Sequence, residues 1–175
     1  MKLLTTILLV VLLGACSRIP ESYAVPPQHP AVEGEDPPTF GSYVHMIDKL
    51  VTDYLVSGVN DGGPADSWRW TNQKPTFRFK LTKVKGMRFE ANYTISSATL
   101  STTGPVTITW SVNGHALGKV SESKEGYRNF SKPVPAEWLI LNGENIVVGE
   151  VDKVWVSPDD GAKLGFIISD LGFID

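Results

Sequence analysis

Residues 68–81 read WRWTNQKPTFRFKL, and this stretch decides the fold class. Trp68 and Trp70 alternate with polar residues, and Phe77 and Phe79 alternate with basic ones. A period of two residues is typical of half-buried β-strands, whose successive side chains point to opposite faces. Large aromatic rings also dominate the energetics of protein cores. We therefore predict that the two indoles and the two phenyl rings form the inward wall of an all-β core.

Other segments with this alternation, or rich in β-branched residues, recur along the rest of the chain. Asn113-Gly114 lies between two such segments and is the strongest two-residue hairpin signal, and Asn142-Gly143 is a second predicted tight turn. Regularly spaced strands without a long helix or βαβ alternation predict a β-sandwich or jelly roll. Residues 99–104 and 158–161 are predicted loops, and residues 133–139 a predicted extended segment that leads to one helical turn. The predicted strands are 54–59, 87–95, 106–112, 115–120, 126–130, 145–151, 153–156 and 164–168.

Residues 39–53, which lead into this region, have an ambiguous pattern. Val44, Ile47 and Val51 fit the spacing of one helical face. Strand-forming residues follow directly. A short helix and an irregular entry segment both remain open.

Composition restricts the classes of partner. The chain has 175 residues, 42% of them hydrophobic and 20% charged, with a formal net charge of -3. This is an ordinary globular composition. No run of five basic residues occurs, so we expect no nucleic-acid partner. The single cysteine, Cys16, excludes an internal disulfide.

The N-terminus has the pattern of a secretory signal peptide. A positive start at Lys2 is followed by an apolar run over residues 3–13 and by the small residues Gly14 and Ala15. The run is shorter than the roughly 20 residues that a membrane-spanning helix needs. We predict a signal peptide over residues 1–15.

Leu13-Gly14-Ala15-Cys16 resembles the lipobox of bacterial lipoproteins. In that family a diacylglyceryl group is attached to the cysteine, the signal is cleaved before it, and the new N-terminus is usually acylated, as with palmitate. The resemblance implies that Cys16 is lipidated and holds the protein in the membrane of the cell envelope. Because Ser17 and not aspartate follows, it implies the outer membrane if the cell is Gram-negative. A free thiol behind an ordinary signal peptide is the alternative.

Residues 16–40 have the composition of a tether. They contain six of the chain's 12 prolines, and proline fixes φ and removes a backbone donor. We therefore expect an extended, partly stiff spacer between the anchor and a β-sandwich domain over residues 41–175.

Several short strings follow one another along the chain: WRWT at 68–71, WSVNGH at 110–115, YRNF at 127–130, LNGEN at 141–145 and DGAKLGF at 160–166. Their order resembles the galactose-binding-like jelly rolls that occur as modules of bacterial surface proteins. That family binds carbohydrate in many members and serves as a scaffold in others, so the resemblance implies a fold more than a function.

The residues offer no recognisable catalytic site. The chain lacks a Gly-x-Ser-x-Gly nucleophile motif, a phosphate-binding glycine loop and a His-Glu-x-x-His zinc motif. A calcium site formed by Asp152, Asp159 and Asp160 is conceivable, since Ca2+ prefers several oxygen ligands, and jelly rolls of this type often carry one. No spaced acidic loop supports it. We expect no cofactor and a protein that is not an enzyme, although an undetected site remains a third hypothesis.

A ligand-binding site would draw on exposed aromatic residues and polar loops. Tyr127 follows Gly126, and Trp138 lies in a loop-like segment after Pro135, so both are the best candidates for exposed rings. Arg128 could donate hydrogen bonds to sugar hydroxyls. The candidate ligand-binding residues are Tyr127, Arg128, Trp138, Asp159 and Asp160.

These observations together predict a lipid-anchored β-sandwich of the cell envelope. We expect a binding or structural module, with a surface glycan as the favoured ligand. The alternative is a protein–protein role in an envelope complex. An exposed aromatic pair flanked by polar groups would favour the glycan, and a large apolar patch would favour a protein partner.

Overall fold

The structure, a computed structural model, describes residues 40–62 and 66–175. The predicted signal peptide, the lipobox cysteine Cys16 and the tether up to residue 39 lie outside the described residues. Within the two described ranges, the helices are too short or too polar to traverse a lipid bilayer.

Eleven strands and one α-helix make up the described chain, together with two 3-10 turns at Val51–Tyr54 and Ala136–Trp138. The helix, α1, is Ser97–Thr103. The strands are β1 Tyr43–His45, β2 Leu55–Val59, β3 Arg69–Lys80, β4 Arg88–Ile95, β5 Val106–Val112, β6 His115–Glu122, β7 Gly126–Pro133, β8 Glu144–Val151, β9 Trp155–Val156, β10 Lys163–Leu164 and β11 Ile167–Ile174.

Nine of the strands form two antiparallel sheets around one core, and β9 and β10 pair with each other in a separate two-stranded ribbon. In the front sheet β11 pairs with β4, and β4 pairs with β7. The back sheet has the order β2-β3-β8-β5-β6. Strand β3 belongs to both, because Arg69 and Trp70 pair with β11 while Thr76–Lys80 pair with β8. β1 pairs with the same edge of β11 as the start of β3 does. The predicted all-β jelly-roll sandwich is confirmed.

Strand β3 corrects the orientation predicted for the opening stretch. Phe77 and Phe79 are fully buried, as expected. Trp68 is exposed, Trp70 is half-buried, and it is Arg69 and Thr71 that point inward. The prediction of inward tryptophans was wrong because residues 69–80 form one strand and not two. Along one strand a single parity faces the core, and the odd-numbered phenylalanines determine it.

The core between the sheets is a cluster of aromatic rings. Trp110 lies near its centre, stacked on Phe130 with 5.8 Å between ring centroids, and it also contacts Phe89 at 5.2 Å. Edge-to-face and tilted contacts of this kind stabilise a core beyond the area they bury. The largest fully buried side chains include Trp110, Tyr93, Phe77, Phe79, Phe89, Phe166 and Phe173.

Two smaller predictions change, and one open alternative is resolved. Residues predicted as a loop at 99–104 are mostly helix α1, which begins where the Ser96 hydroxyl accepts a hydrogen bond from the Ala98 N–H, 3.0 Å away. The predicted strand 164–168 is divided between β10 and β11, with Gly165 in the gap. At Gly165 a Cβ atom would lie 2.5 Å from the Asn72 carbonyl oxygen, so close backbone approach needs glycine here. The ambiguous entry, residues 40–53, is an irregular segment containing β1 and a 3-10 turn.

Candidate ligand-binding site

The outer face of the front sheet carries an aromatic row across four strands. Tyr127 on β7 pairs with Thr94 on β4, Thr94 pairs with Ile167 on β11, and Ile167 pairs with Trp70 on β3. Directly paired residues of neighbouring strands point to the same face. With strands about 4.8 Å apart, the aromatic row spans roughly 14 Å.

Two of the most exposed aromatic side chains lie at this row. Tyr127 is 60% exposed and Trp68 is 47% exposed. Trp70 is less accessible because its ring packs against Trp155, with 6.1 Å between centroids and a tilt of 37°. Trp68 lines a small cavity of about 180 Å3. The other residues lining that cavity are Thr94, Ile167 and Ser169.

A polar row crosses the same face one step along the strands. Asn129 pairs with Asn92, Asn92 with Asp170, and Asp170 with His45. The Asn129 Nδ2 donates to Asn92 Oδ1 at 2.7 Å, and the Asn92 Nδ2 donates to Asp170 Oδ1 at 2.6 Å. The Tyr43 hydroxyl donates to the same carboxylate oxygen. These bonds hold the side chains of the polar row in one arrangement before any ligand binds.

Carboxylates dominate the electrostatics of the face. Burial, then the hydrogen bond to Asp170, raises the pKa of Tyr43 far above its usual range. Burial, followed by the charges of Asp170 and Glu90, also raises the pKa of Tyr127. The Tyr127 hydroxyl therefore lies within electrostatic reach of both carboxylates and stays protonated at neutral pH.

The guanidinium of Arg128, a predicted ligand-binding residue, forms hydrogen bonds with other residues of the protein. Its Nε donates to Glu122 Oε2 at 2.9 Å, and its Nη atoms donate to the carbonyls of Tyr127, Lys124 and Glu125. Four bonds occupy most of the five N–H groups of a guanidinium. Glu122 also accepts a 2.8 Å hydrogen bond from the buried Tyr93 hydroxyl. Arg128 thus fixes the turn before Tyr127, and the structure gives no support to its role as a ligand donor.

Trp138 lies elsewhere, beside the β5–β6 hairpin of the back sheet. Its ring is half-buried against the core and stacks on His115, with 4.8 Å between centroids and an interplanar angle of 13°. The Asn113 Nδ2 donates to the Trp138 carbonyl at 2.7 Å. Trp138 is therefore not part of the surface that carries Tyr127.

The acidic pair is in the turn between β9 and β10. Asp159 and Asp160 are both exposed. The Asp160 Oδ1 accepts a 3.0 Å hydrogen bond from the Ala162 N–H. A hydrogen bond from Ser157, then that from Ala162, lowers the pKa of Asp160. These bonds fit the role of a turn-forming residue.

The structure does not assemble the conceivable calcium site. Asp152, which directly follows β8, instead accepts a 2.7 Å hydrogen bond from the N–H of Thr107 on β5. Among the residues that the structure describes, no group of three His, Cys, Asp or Glu side chains is placed to hold a metal ion.

Of the five predicted ligand-binding residues, only Tyr127 lies on the face described above. The other members, Trp68, Asn92, Asn129 and Asp170, were missed. A signal for Asn92 existed, because it lies on the polar phase of the alternating segment 87–95. The residues beside Asn92 come from the strands that pair with β4. Those strands are distant from β4 in the sequence, so the local pattern does not identify them.

Comparisons with known proteins identify no family. No family model matches the chain, and no curated protein matches it significantly. Fourteen chains of solved structures do match. One belongs to a family GH115 4-O-methyl-α-glucuronidase with specificity for decorated arabinogalactans, with 10% identity and a TM-score of 0.39 over 68% of this chain. Another is dimeric latent PorU from Porphyromonas gingivalis, with 18% identity and a TM-score of 0.38 over 59%.

A third is the exo-β-1,3-galactanase of Phanerochaete chrysosporium, with 10% identity and a TM-score of 0.41 over 77% of this chain. The chain spans only 16%, 10% and 29% of the lengths of these three proteins, respectively. Likeness of this extent does not bear on what the present chain binds.

Proposed function

We propose that this protein is a lipid-anchored module of the cell envelope that binds carbohydrate, without catalysis, on the outer face of its front sheet. The observation that carries the proposal is the exposed pair Trp68 and Tyr127 beside the polar row Asn129, Asn92 and Asp170.

This combination suits the chemistry of a sugar. A pyranose ring has apolar C–H faces, which gain free energy when they cover exposed aromatic surface. Its hydroxyls both donate and accept hydrogen bonds. The side-chain amides of Asn92 and Asn129 offer donors and acceptors, and the carboxylate of Asp170 offers acceptors. A few fixed polar groups beside an apolar surface are the usual composition of a small-ligand site.

The anchor and tether complete the proposal. Lipidation of Cys16 would hold the protein at a membrane, and several acyl chains give stable attachment where one is marginal. A proline-rich spacer extends by about 3 Å per residue. Residues 16–40 would therefore carry the domain clear of the bilayer surface and present the face to glycans of the envelope or its surroundings.

The test is a glycan array probed with the detergent-solubilised full-length protein. We expect binding to a subset of glycans, weakened about tenfold or more by Trp68→Ala or Tyr127→Ala, as for truncated aromatic anchors. Leu141→Ala is the matched control, because Leu141 is also exposed, at 54%, but lies beyond the front sheet next to Leu81.

Failure to retain any glycan would refute the proposal and favour the assembly alternative. Binding that survives both aromatic substitutions would refute the site while leaving the ligand class intact.

A further inference from the structure

The outer face of the front sheet is anionic where it meets the aromatic row. Asp170 lies on the polar row directly beside it, and Glu90 lies one step farther along β4. A step of two residues along a strand is about 7 Å. After burial, the charges of Asp170 and then of Glu90 raise the pKa of the Tyr127 hydroxyl, in agreement with this placement, and Asp170 is the nearer of the two carboxylates.

The two basic residues of this face, Arg88 and His45, lie outside the aromatic row. Arg88 begins β4, and its Nη2 donates to Ser131 Oγ at 3.1 Å, in the same cross-strand row as Glu90 and two steps from the aromatic row. His45, opposite Asp170, packs edge-on against Tyr43 with 5.3 Å between centroids. Strand β7 contributes Tyr127, Asn129 and Ser131 to the face, and none of these carries a charge at neutral pH.

The hydrogen-bonding state of Asp170 restricts the ligand further. Its Oδ1 accepts bonds from Asn92 and Tyr43. Its Oδ2 has no partner among the described residues, and an ionised carboxylate only accepts. The group that meets Oδ2 must therefore be a donor, such as a sugar hydroxyl or an ammonium group. A second carboxylate or a sulfate would bring an acceptor and a like charge, and close like charges disfavour an interface.

Resting on the proposed function, we propose that this face selects glycans with uncharged or amino-substituted sugars and rejects those rich in uronic acid or sulfate. The aromatic row holds the C–H face of one sugar, while Asp170 and Glu90 determine which substituents are accepted at its edge. The cavity that Trp68 lines, about 180 Å3, is smaller than the roughly 300–1,000 Å3 of enclosed ligand pockets. The cavity therefore accommodates part of one sugar unit, and the rest of the glycan lies on the open sheet.

The experiment compares matched oligosaccharides that differ only in charge. Titrations of the detergent-solubilised full-length protein would use galactose and galacturonic acid oligomers, glucose and glucuronic acid oligomers, and glucosamine oligomers. At low salt we expect the neutral or amino member of a bound series to bind at least tenfold tighter than the uronic acid. The gap should narrow in 1 M salt, where the Debye length is about 3 Å.

Two charge-neutralising variants identify the cause. Asp170→Asn and Glu90→Gln should each reduce the discrimination, and the double variant should remove most of it. Glu90→Gln alone keeps the test valid if loss of the Asp170 charge disturbs folding, which a thermal melt would reveal. Equal or tighter binding of the uronic acids, or discrimination unchanged in both variants, would overturn this inference without touching the proposed function. Absence of binding to every series would overturn this inference, and absence of binding to the glycan array as well would overturn both.

Discussion

At the scale of single residues, the absence of a side chain at Gly149 leaves the space that the Trp110 ring occupies in the core. It lies on β8 opposite Trp110. A Cβ atom at this position would lie 2.7 Å from Cζ3 and 2.9 Å from Cη2 of the Trp110 ring. Trp110 is fully buried and touches several other rings, so it has little room to move.

We therefore expect Gly149→Ala to lower the free energy of unfolding by about 1–3 kcal/mol, the usual range for overpacking a core. Gly118→Ala is the control, because its Cβ would meet only the flexible end of Lys132, 2.8 Å away. Urea denaturation monitored by tryptophan fluorescence measures both. Equal stability of the two variants would contradict this account of the Trp110 site.

Tyr93 makes stability depend on alkaline pH. Burial, followed by its hydrogen bond to Glu122, raises the pKa of Tyr93 far above its ordinary value of 10.0. When pH exceeds about 10, the unfolded chain releases this proton while the folded protein retains it. A group whose pKa is raised by folding stabilises the protein below its unfolded pKa, and that stabilisation is lost as pH rises above it.

The free energy of unfolding should therefore fall between pH 10 and pH 11 by up to about 1.4 kcal/mol per pH unit for this one group. The Tyr93→Phe variant should have a lower free energy of unfolding at every pH, since Glu122 loses a hydrogen-bond donor. The decrease of that free energy with rising alkaline pH should, however, be less steep. Urea unfolding at pH 8 to 11 compares the slopes. Parallel curves for the two proteins would show that Tyr93 is not the titrating group.

At the scale of secondary structure, β3 connects the two sheets and sets the orientation of everything near it. Its inward Thr71 is fully buried. The Thr71 hydroxyl donates to the Phe166 carbonyl at 2.9 Å and accepts from the Phe166 N–H at 3.1 Å. This pair of bonds ties the start of β3 to the segment that precedes β11. The same parity sends Trp70 outward to the aromatic row.

Thr71→Val tests that orientation. The substitution keeps the shape of the side chain but leaves the Phe166 N–H without its acceptor, and we expect a loss of about 1–3 kcal/mol of stability. Thr76→Val on the same strand is the control, because Thr76 has the opposite parity and its hydroxyl makes only a 3.4 Å contact with Lys74. Thermal denaturation measures both variants. A neutral Thr71→Val would favour the tryptophans-inward orientation.

The pattern of β3 shows where sequence reasoning succeeds and where it stops. Each half of the strand alternates, and each half was recognised as strand from that alternation. Asn72 to Pro75 separate the two halves, and the ladder absorbs these residues in a register shift between the pairs Ser57–Thr76 and Val59–Thr71. Residues on the two sides of such an interruption keep the same inward parity only if the strand continues through it. The side-chain pattern alone does not show whether the strand continues.

At the scale of the whole molecule, the proposed membrane anchor at Cys16 and the proposed binding face of the front sheet are different parts of the chain. Cys16→Ser should shift the protein from the membrane fraction to the soluble fraction. Ser17→Ala, which keeps the cysteine, should leave it in the membrane fraction. Fractionation after a high-salt wash, followed by immunoblotting, gives the readout. Retention of Cys16→Ser on membranes would refute the lipid anchor.

The sequence by itself determined the all-β class, the hairpin turn at Asn113-Gly114, the tight turn at Asn142-Gly143 and the exposure of Tyr127. Local pattern is enough for these, because alternation and turn chemistry act over a few neighbouring residues. Only the tertiary structure decided that Trp68 and Trp70 face outward and that Tyr127, Thr94, Ile167 and Trp70 form one row. Those residues come from four strands, and their meeting depends on which strands pair and in what register.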